Sequence, residues 1–219
     1  MIYYLIASIL IAVAALALIA CPFVEPYLLQ VESVTLISDD LPADIARLKI
    51  VYLSDIHQGA FFSSNRVQNL ITQVNSLNPD IILLGGDYAN TSDEAIAFFE
   101  NAPSFHARYL TAAVLGNHDR TVPESNLTKL GQVMYAAGVT PLVNSVARVK
   151  IGADYIYLAG IDDVDNGTPD LAGVAAQVRK EDYVIFLSHS PAILSQALDA
   201  KDQNGDKGWF DLALCGHTH

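Results

Sequence analysis

The chain has 219 residues, a formal net charge of −12 and a hydrophobic fraction of 52%. This length and composition exclude intrinsic disorder and allow one sizeable domain. Because 24 acidic residues face 12 basic ones, we expect no broad basic surface and no nucleic-acid partner.

The first 24 residues are predicted to form one transmembrane helix that anchors the chain. No charged residue precedes Glu25, and residues 2–20 would span about 28 Å as a helix, the thickness of a bilayer core. Tyr3, Tyr4 and Tyr27 flank the stretch, as aromatic residues do at membrane interfaces. The first basic residue is Arg47, so basic residues near the helix do not predict on which side of the membrane the domain lies.

Three other interpretations of this segment stay open. A cleaved signal peptide ordinarily begins with basic residues, which are missing here. The sequence Leu18-Ile19-Ala20-Cys21 is similar to a lipoprotein signal, which also ordinarily has a basic start. A buried core helix is the third interpretation, although such helices are seldom this long without a charge. The spanning length favours a retained anchor.

Residues 25–44 carry two prolines and five acidic residues without a basic one, which predicts a tether. The domain proper is predicted over 45–219. In chain order we expect a strand at 48–54, a helix at 65–77, a strand at 80–84, a helix at 95–99, a strand at 109–115 and a helix at 127–137. Strands at 139–143, 146–151 and 155–161, a helix at 171–179, a strand at 183–188, a helix at 192–198 and a strand at 212–215 follow. The alternation predicts an α/β domain with a largely parallel core, and the closely spaced middle strands predict hairpins and a second sheet.

Polar residues follow five of these predicted strands. The carboxyl ends of parallel strands share one edge of a sheet, and ligands bind there. Of six histidines, all except His106 fall in these strand-end turns. The residues so placed are Asp55, His57, Asp87, Asn117, His118, Asp119, His189, His217 and His219.

These residue types predict a metal site. In extended chain, residues two apart point to one side, so Asp55 with His57 could reach one cation or two adjacent ones. Gly86, Gly116 and Gly216 would allow tight turns beside it. Oxygen and imidazole ligands fit Mn²⁺, Fe or Zn²⁺. Two such cations would clamp the attacking and leaving oxygens of a displacement at phosphorus, in place of the scarce lysine and arginine.

The two cysteines, Cys21 and Cys215, lack metal-binding spacing and are not expected to form a disulfide.

The motifs Asp55-x-His57, Gly86-Asp87, Gly116-Asn117-His118-Asp119, His189 and Gly216-His217-Thr218-His219 resemble, in order and interval, the calcineurin-like metallophosphoesterase superfamily. The resemblance covers about residues 46–219 and implies a β-sandwich of two sheets flanked by helices. The apolar start and Leu53-Ser54-Asp55-Ile56-His57 further resemble a membrane-anchored bacterial subgroup. Some members of that subgroup cleave the pyrophosphate of UDP-2,3-diacylglucosamine in lipid A synthesis.

The resemblance implies a role for each residue. Asp55, His57 and His219 would bind one divalent metal, Asn117, His189 and His217 the other, and Asp87 would bridge the two. Manganese is the first expectation, with iron, zinc or magnesium as alternatives. His118 would be the general acid, with Asp119 orienting and polarising its imidazole, and a metal-bridging hydroxide would be the nucleophile. The implied substrate is a phosphate ester or pyrophosphate, with a lipid-linked one such as UDP-2,3-diacylglucosamine as the specific case.

A non-catalytic metal-binding scaffold of the same fold is the alternative function. His118 argues for the enzyme, because a scaffold need not keep the acid. Members of the superfamily continue beyond the position of His219, so the domain is expected to be truncated at its C-terminal end. Arg120 is expected at the surface rather than on a substrate phosphate, and 162–167 is expected to be an acidic turn.

Overall fold

The computed structural model describes residues 2–24, 29–121 and 124–218. For residues 14, 17–24, 124 and 125 it describes the backbone only. The chain divides into two units, residues Met1–Ile37 and Ser38–His219. The first unit contains helix α1 (Ile2–Val24), and its residues 29–37 carry no helix or strand. The tether predicted for 25–44 includes residues 25–28, which lie outside the described ranges.

In the part of the chain that the structure describes, no helix is long and apolar enough to cross a membrane. The transmembrane helix predicted for residues 1–24 is therefore not confirmed.

The second unit contains two four-stranded sheets. The first sheet is parallel and has its strands in chain order, β1 (Ile50–Leu53), β2 (Ile81–Leu84), β3 (Leu110–Ala113) and β4 (Thr140–Pro141). In the second sheet, β5 (Ser145–Ile151) is antiparallel to β6 (Asp154–Gly160), and β7 (Val184–Ser188) and β8 (Leu212–Cys215) are parallel to β6. The predicted parallel core, middle hairpin and second sheet are all confirmed.

In the described residues, five α-helices accompany these strands: α2 (Ser64–Ser76), α3 (Ser92–Asn101), α4 (Glu124–Ala136), α5 (Leu171–Ala175) and α6 (Leu194–Asp199). A short 3-10 helix, Pro191–Ile193, directly precedes α6. The predicted helix 171–179 ends early, at Ala175. After it, the Gln203 amide donates to the Val178 carbonyl and the Lys180 amide to the Asp202 carboxylate, at 3.0 and 2.8 Å. These contacts take the place of helical hydrogen bonds, so the chain leaves the helix there.

Strands β2 and β7 are buried along their whole length, which explains their nearly unbroken apolar sequences. In β2, Ile81 and Leu83 belong to the cluster shared by the two sheets, whereas Ile82 and Leu84 pack in the cluster that contains α2, α3 and α4. In the second sheet, Phe186 faces a third cluster with residues of α5 and α6. The two sheets therefore pack face to face with helices outside, the predicted α/β sandwich flanked by helices.

Candidate metal centre

The predicted site residues follow the carboxyl ends of five strands, as the parallel pairing requires. Side chains from β1, β2 and β3 lie at one edge of the first sheet, and those from β7 and β8 lie at one edge of the second. Polar contacts join these edges. His189 Nδ1 lies 2.8 Å from the Gly85 carbonyl oxygen, and the His217 amide donates to Asp55 Oδ2 at 3.0 Å.

The backbone at these strand ends is left-handed rather than extended. Asp55, His57, Asp87 and His217 have φ values of 55°, 46°, 55° and 71°. The backbone at Asp55 and His57 is therefore not extended as expected, although both side chains lie in donor groups that share Asp87. Non-glycine residues adopt this region at a cost in free energy, and such residues concentrate at functional sites. Amides hold the turn: Asp55 and His57 donate to the carbonyls of Gly86 and Asp87, both at 3.0 Å.

Two glycines allow the backbone to approach this closely. A Cβ at Gly86 would lie 2.6 Å from the Gly116 nitrogen, and Gly86 itself has a φ of 97°. A Cβ at Gly216 would overlap Ser54 and lie 2.5 Å from Asp55 Oδ2. Each turn packs against its neighbour more tightly than a larger residue permits.

Asp87 lies at the centre of the arrangement and is only 2% exposed. Its Oδ2 atom is 3.6 Å from His57 Nε2 and 3.3 Å from His189 Nε2. Among the residues that the structure describes, two groups of three side chains have their donor atoms within 4.8 Å of one another, and both include Asp87. One group adds His57 and His118, and the other adds Asp55 and His189.

This grouping differs in part from the ligand sets that the resemblance implies. Asp55 lies with His189, whose Nε2 is 3.9 Å from Asp55 Oδ1, rather than with His57. Asp87 is common to both groups, which is the position a bridging ligand needs.

The remaining predicted ligands are placed as follows. Asn117 Oδ1 is buried and has no hydrogen-bond partner. The His217 ring packs edge-on to His189, with 5.1 Å between ring centroids. His219 lies outside the described residues.

Asp119 does not orient His118 as expected. Its fully buried carboxylate instead accepts hydrogen bonds from the backbone amides of Gly116, Asp87 and Tyr88, at 2.9, 2.8 and 3.2 Å. The group that faces His118 Nδ1 is the Asn90 carbonyl oxygen, at 3.0 Å. Sequence reasoning missed this partner because a backbone carbonyl leaves no mark in the sequence. Asp119 holds the β2 and β3 turns together and thereby places Asp87 beside the His118 amide, which donates to Asp87 Oδ1 at 2.9 Å.

Burial and charge compete in setting the pKa values of these groups. Burial raises the pKa of Asp87, but His189 and His118 together outweigh burial and hold the pKa of Asp87 below its ordinary value. Burial lowers the pKa of His189, but Asp87, the Gly85 carbonyl and Asp55 together raise the pKa to about 9. Burial raises the pKa of Asp119 to about 7 despite its three amide hydrogen bonds. Asp87 therefore stays ionised, and its charge favours a cation beside it.

These residues fit divalent cations. Asn117 Oδ1 is buried without a hydrogen-bond partner, an arrangement that costs free energy unless something else binds it. Buried His189 Nε2 lies 3.3 Å from Asp87 Oδ2, so one cation could contact both atoms. The Gly85 carbonyl can only accept, so His189 Nδ1 carries a proton and Nε2 is the atom that can bind a cation. The grouped donors are carboxylate and imidazole without thiolate, which suits manganese, iron, zinc or magnesium.

A comparison with known families decides the relationship. The sequence model described as "Calcineurin-like phosphoesterase" matches residues 48–219. The chain belongs to the calcineurin-like phosphoesterase family. The resemblance seen in the motifs is thus confirmed at the level of the family, whose members are typically metal-dependent.

Several members of the family are similar over most of this chain. "Phosphodiesterase YaeI" of Escherichia coli is 32% identical over 185 residues, which cover 80% of this chain and 61% of that protein. A "Transmembrane protein with metallophosphoesterase domain" of Danio rerio is 29% identical over 192 residues, covering 83% of this chain and 42% of that protein. The chain therefore spans about two fifths to three fifths of the length of these relatives.

A solved structure supports the fold. The "Phosphopantetheinyl Hydrolase (PptH)" of Mycobacterium tuberculosis superposes with a TM-score of 0.52, at 14% identity. The match covers 78% of this chain and 83% of that one. At this identity the likeness extends to the fold alone.

Proposed function

We propose that this phosphoesterase domain hydrolyses a phosphodiester or pyrophosphate with two bound divalent cations. The observation that carries the proposal is Asp87, a buried, ionised carboxylate shared by two donor groups. Asp55, His57, Asn117, His189, His217 and His219 complete the proposed ligand set. Cations held there would activate water as the nucleophile and offset charge on the phosphoryl oxygens.

His118 is the proposed general acid. Its Nδ1 faces the Asn90 carbonyl, which can only accept, so Nδ1 carries a proton. The proton given to the leaving oxygen therefore comes from Nε2 of the imidazolium ring. The ring is fixed for this task by the Asn90 contact on one side and by His57 on the other, at 5.0 Å between ring centroids. General acid catalysis of this kind accelerates reactions by about 10²–10⁴-fold.

The charge around the site favours a diester over a monoester. Arg120 follows the His118 turn directly, but its guanidinium is ion-paired with buried Asp162. A second negative charge on the substrate would thus have to be offset by the two proposed cations alone, because Arg120 is already paired with Asp162. A diester carries one negative charge, whereas a monoester carries nearly two.

A substrate panel tests this proposal. With Mn²⁺ added, we expect the full chain to hydrolyse bis(p-nitrophenyl) phosphate with a kcat/KM about tenfold or more above that for p-nitrophenyl phosphate. The measurement is initial rates of p-nitrophenolate release for both compounds. Equal or faster hydrolysis of the monoester would refute the charge argument. Cation binding without hydrolysis of either compound would favour the metal-binding scaffold instead.

A lipid-linked substrate and a location at a bacterial cell membrane form the finer part of the proposal. Support comes from the apolar sequence of residues 2–20 and from Phe61, which is 89% exposed in the loop after His57. The Danio rerio and Bos taurus relatives are named transmembrane proteins. UDP-2,3-diacylglucosamine in detergent micelles therefore belongs in the same panel, and its release of UMP decides whether that compound is a substrate.

A further inference from the structure

The loop that follows β6, residues 162–167, lies beside the metal centre. We name it the acidic loop, from its sequence Asp-Asp-Val-Asp-Asn-Gly. Asp162 and Asp163 are 3% and 1% exposed. The loop contains the predicted acidic turn, but its two buried carboxylates need partners.

Those partners make the acidic loop a fixed structure. Asp163 Oδ2 accepts from the amides of Asp165 and Asn166, at 3.1 and 2.7 Å. Asp162 Oδ1 accepts from the Asp163 amide at 2.9 Å, and its Oδ2 accepts from the Thr168 amide at 2.9 Å. The two buried carboxylates thus hold the backbone that presents Asp165 and Asn166.

The acidic loop is also tied to the turn that carries Asn117 and His118. Arg120, two residues beyond His118, forms an ion pair with Asp162, and their side chains are 11% and 3% exposed. The surface position expected for Arg120 was wrong. This buried ion pair ties the acidic loop to the turn, because separating the two side chains would leave each charge buried without compensation.

The exposed side of the acidic loop reaches two of the proposed cation ligands. Asn166 Nδ2 donates to the backbone carbonyl of Asn117 at 2.9 Å. Asp165 Oδ2 lies 3.8 Å from His217 Nε2. Asn117 and His217, together with His189, form the ligand set proposed for the second cation.

We infer that Asp165 and Asn166 are positioning residues for the second cation site. Asn166 holds the Asn117 backbone, so that the buried, unpartnered Asn117 Oδ1 stays available as a ligand. Asp165 sets the orientation of the His217 ring. Residues that orient metal ligands in this way typically change metal affinity by about 10–100-fold. The inference rests on the proposed metal centre but not on hydrolysis.

The test is a Mn²⁺ titration of the metal-free full chain by isothermal calorimetry. The wild type is expected to bind two ions. The double variant Asp165→Ala/Asn166→Ala should bind the first ion as the wild type does and the second about 10–100-fold more weakly. Both side chains are exposed, and the loop's internal hydrogen bonds use backbone amides that alanine keeps. Asn166→Asp removes the Nδ2 donor while keeping the size of the side chain, and it should also weaken binding of the second ion.

The matched control is Asn204→Ala/Asp206→Ala. It changes the same residue types, also exposed, in the turn that Asp202 holds by backbone hydrogen bonds. This control should bind both ions as the wild type does. Unchanged binding of both ions in the Asp165/Asn166 variant would overturn the inference, and so would equal weakening of both ions. Two ions bound without any hydrolysis would refute the proposed function and leave this inference standing.

Discussion

Replacing Asp87 with alanine is expected to lower kcat for diester hydrolysis by about 10³-fold or more, equal to about 4 kcal/mol of transition-state stabilisation. Asp87 is the donor common to both groups of the metal centre, so its loss affects both proposed cations. It also accepts a hydrogen bond from the His118 amide at 2.9 Å, so the variant loses a contact that positions the general acid. The measurement is the steady-state rate with saturating Mn²⁺.

The matched control for Asp87 is Asp199→Ala. Asp199 is an exposed carboxylate on α6, paired at 2.6 Å with Lys207. This change should leave kcat within about twofold, because exposed ion pairs contribute little. Circular dichroism should show both variants folded. If folded Asp87→Ala kept kcat within tenfold of the wild type, Asp87 would not be the shared ligand.

Replacing His118 with asparagine is expected to slow hydrolysis in proportion to the difficulty of expelling the leaving group. A general acid matters most when the departing oxygen is strongly basic. For a primary-alcohol leaving group we expect a loss in kcat of about 10²–10⁴-fold, and for p-nitrophenol a loss below about tenfold. The measurement is kcat for diesters that release p-nitrophenol, phenol and a primary alcohol.

His106→Asn is the control for His118. His106 is exposed and lies outside the strand-end turns. The same substitution there should leave kcat unchanged for all three diesters. A His118→Asn loss of the same size for all three leaving groups would mean that His118 acts as a cation ligand. Its place in the group with His57 and Asp87 makes that the specific competing role.

Most of the fold could be predicted from the sequence because several strands are short apolar runs that end at polar turns. Ile81–Leu84 is such a run, and the polar Gly86-Asp87 pair after it marks where β2 ends. Strand β4 shows the limit of this reasoning. Residues 139–143 are apolar enough for a strand, yet β4 contains only Thr140–Pro141. The Leu142 amide still donates to the Ala113 carbonyl at 2.7 Å, and β3 ends at Ala113, so the length of β4 is set by its neighbour rather than by its own apolar sequence.

The site could be predicted in its residues but not in its geometry. Parallel strand ends bring Asp55, Asp87 and His189 to one place whatever the turns between them look like. The left-handed backbone of Asp55 and His57 and the contacts of Asp119 depend on neighbouring backbone amides and carbonyls, which residue identities do not reveal. The same holds for the acidic loop, because Asp162 is tied to Arg120 and Asn144, which are distant in sequence.

The most direct measurement is an anomalous difference map from crystals of the full chain grown with Mn²⁺. The two donor groups predict two peaks, both bound by the Asp87 carboxylate, with one on the His57 side and the other on the His189 side. A single peak, or two peaks that do not share Asp87, would contradict the account.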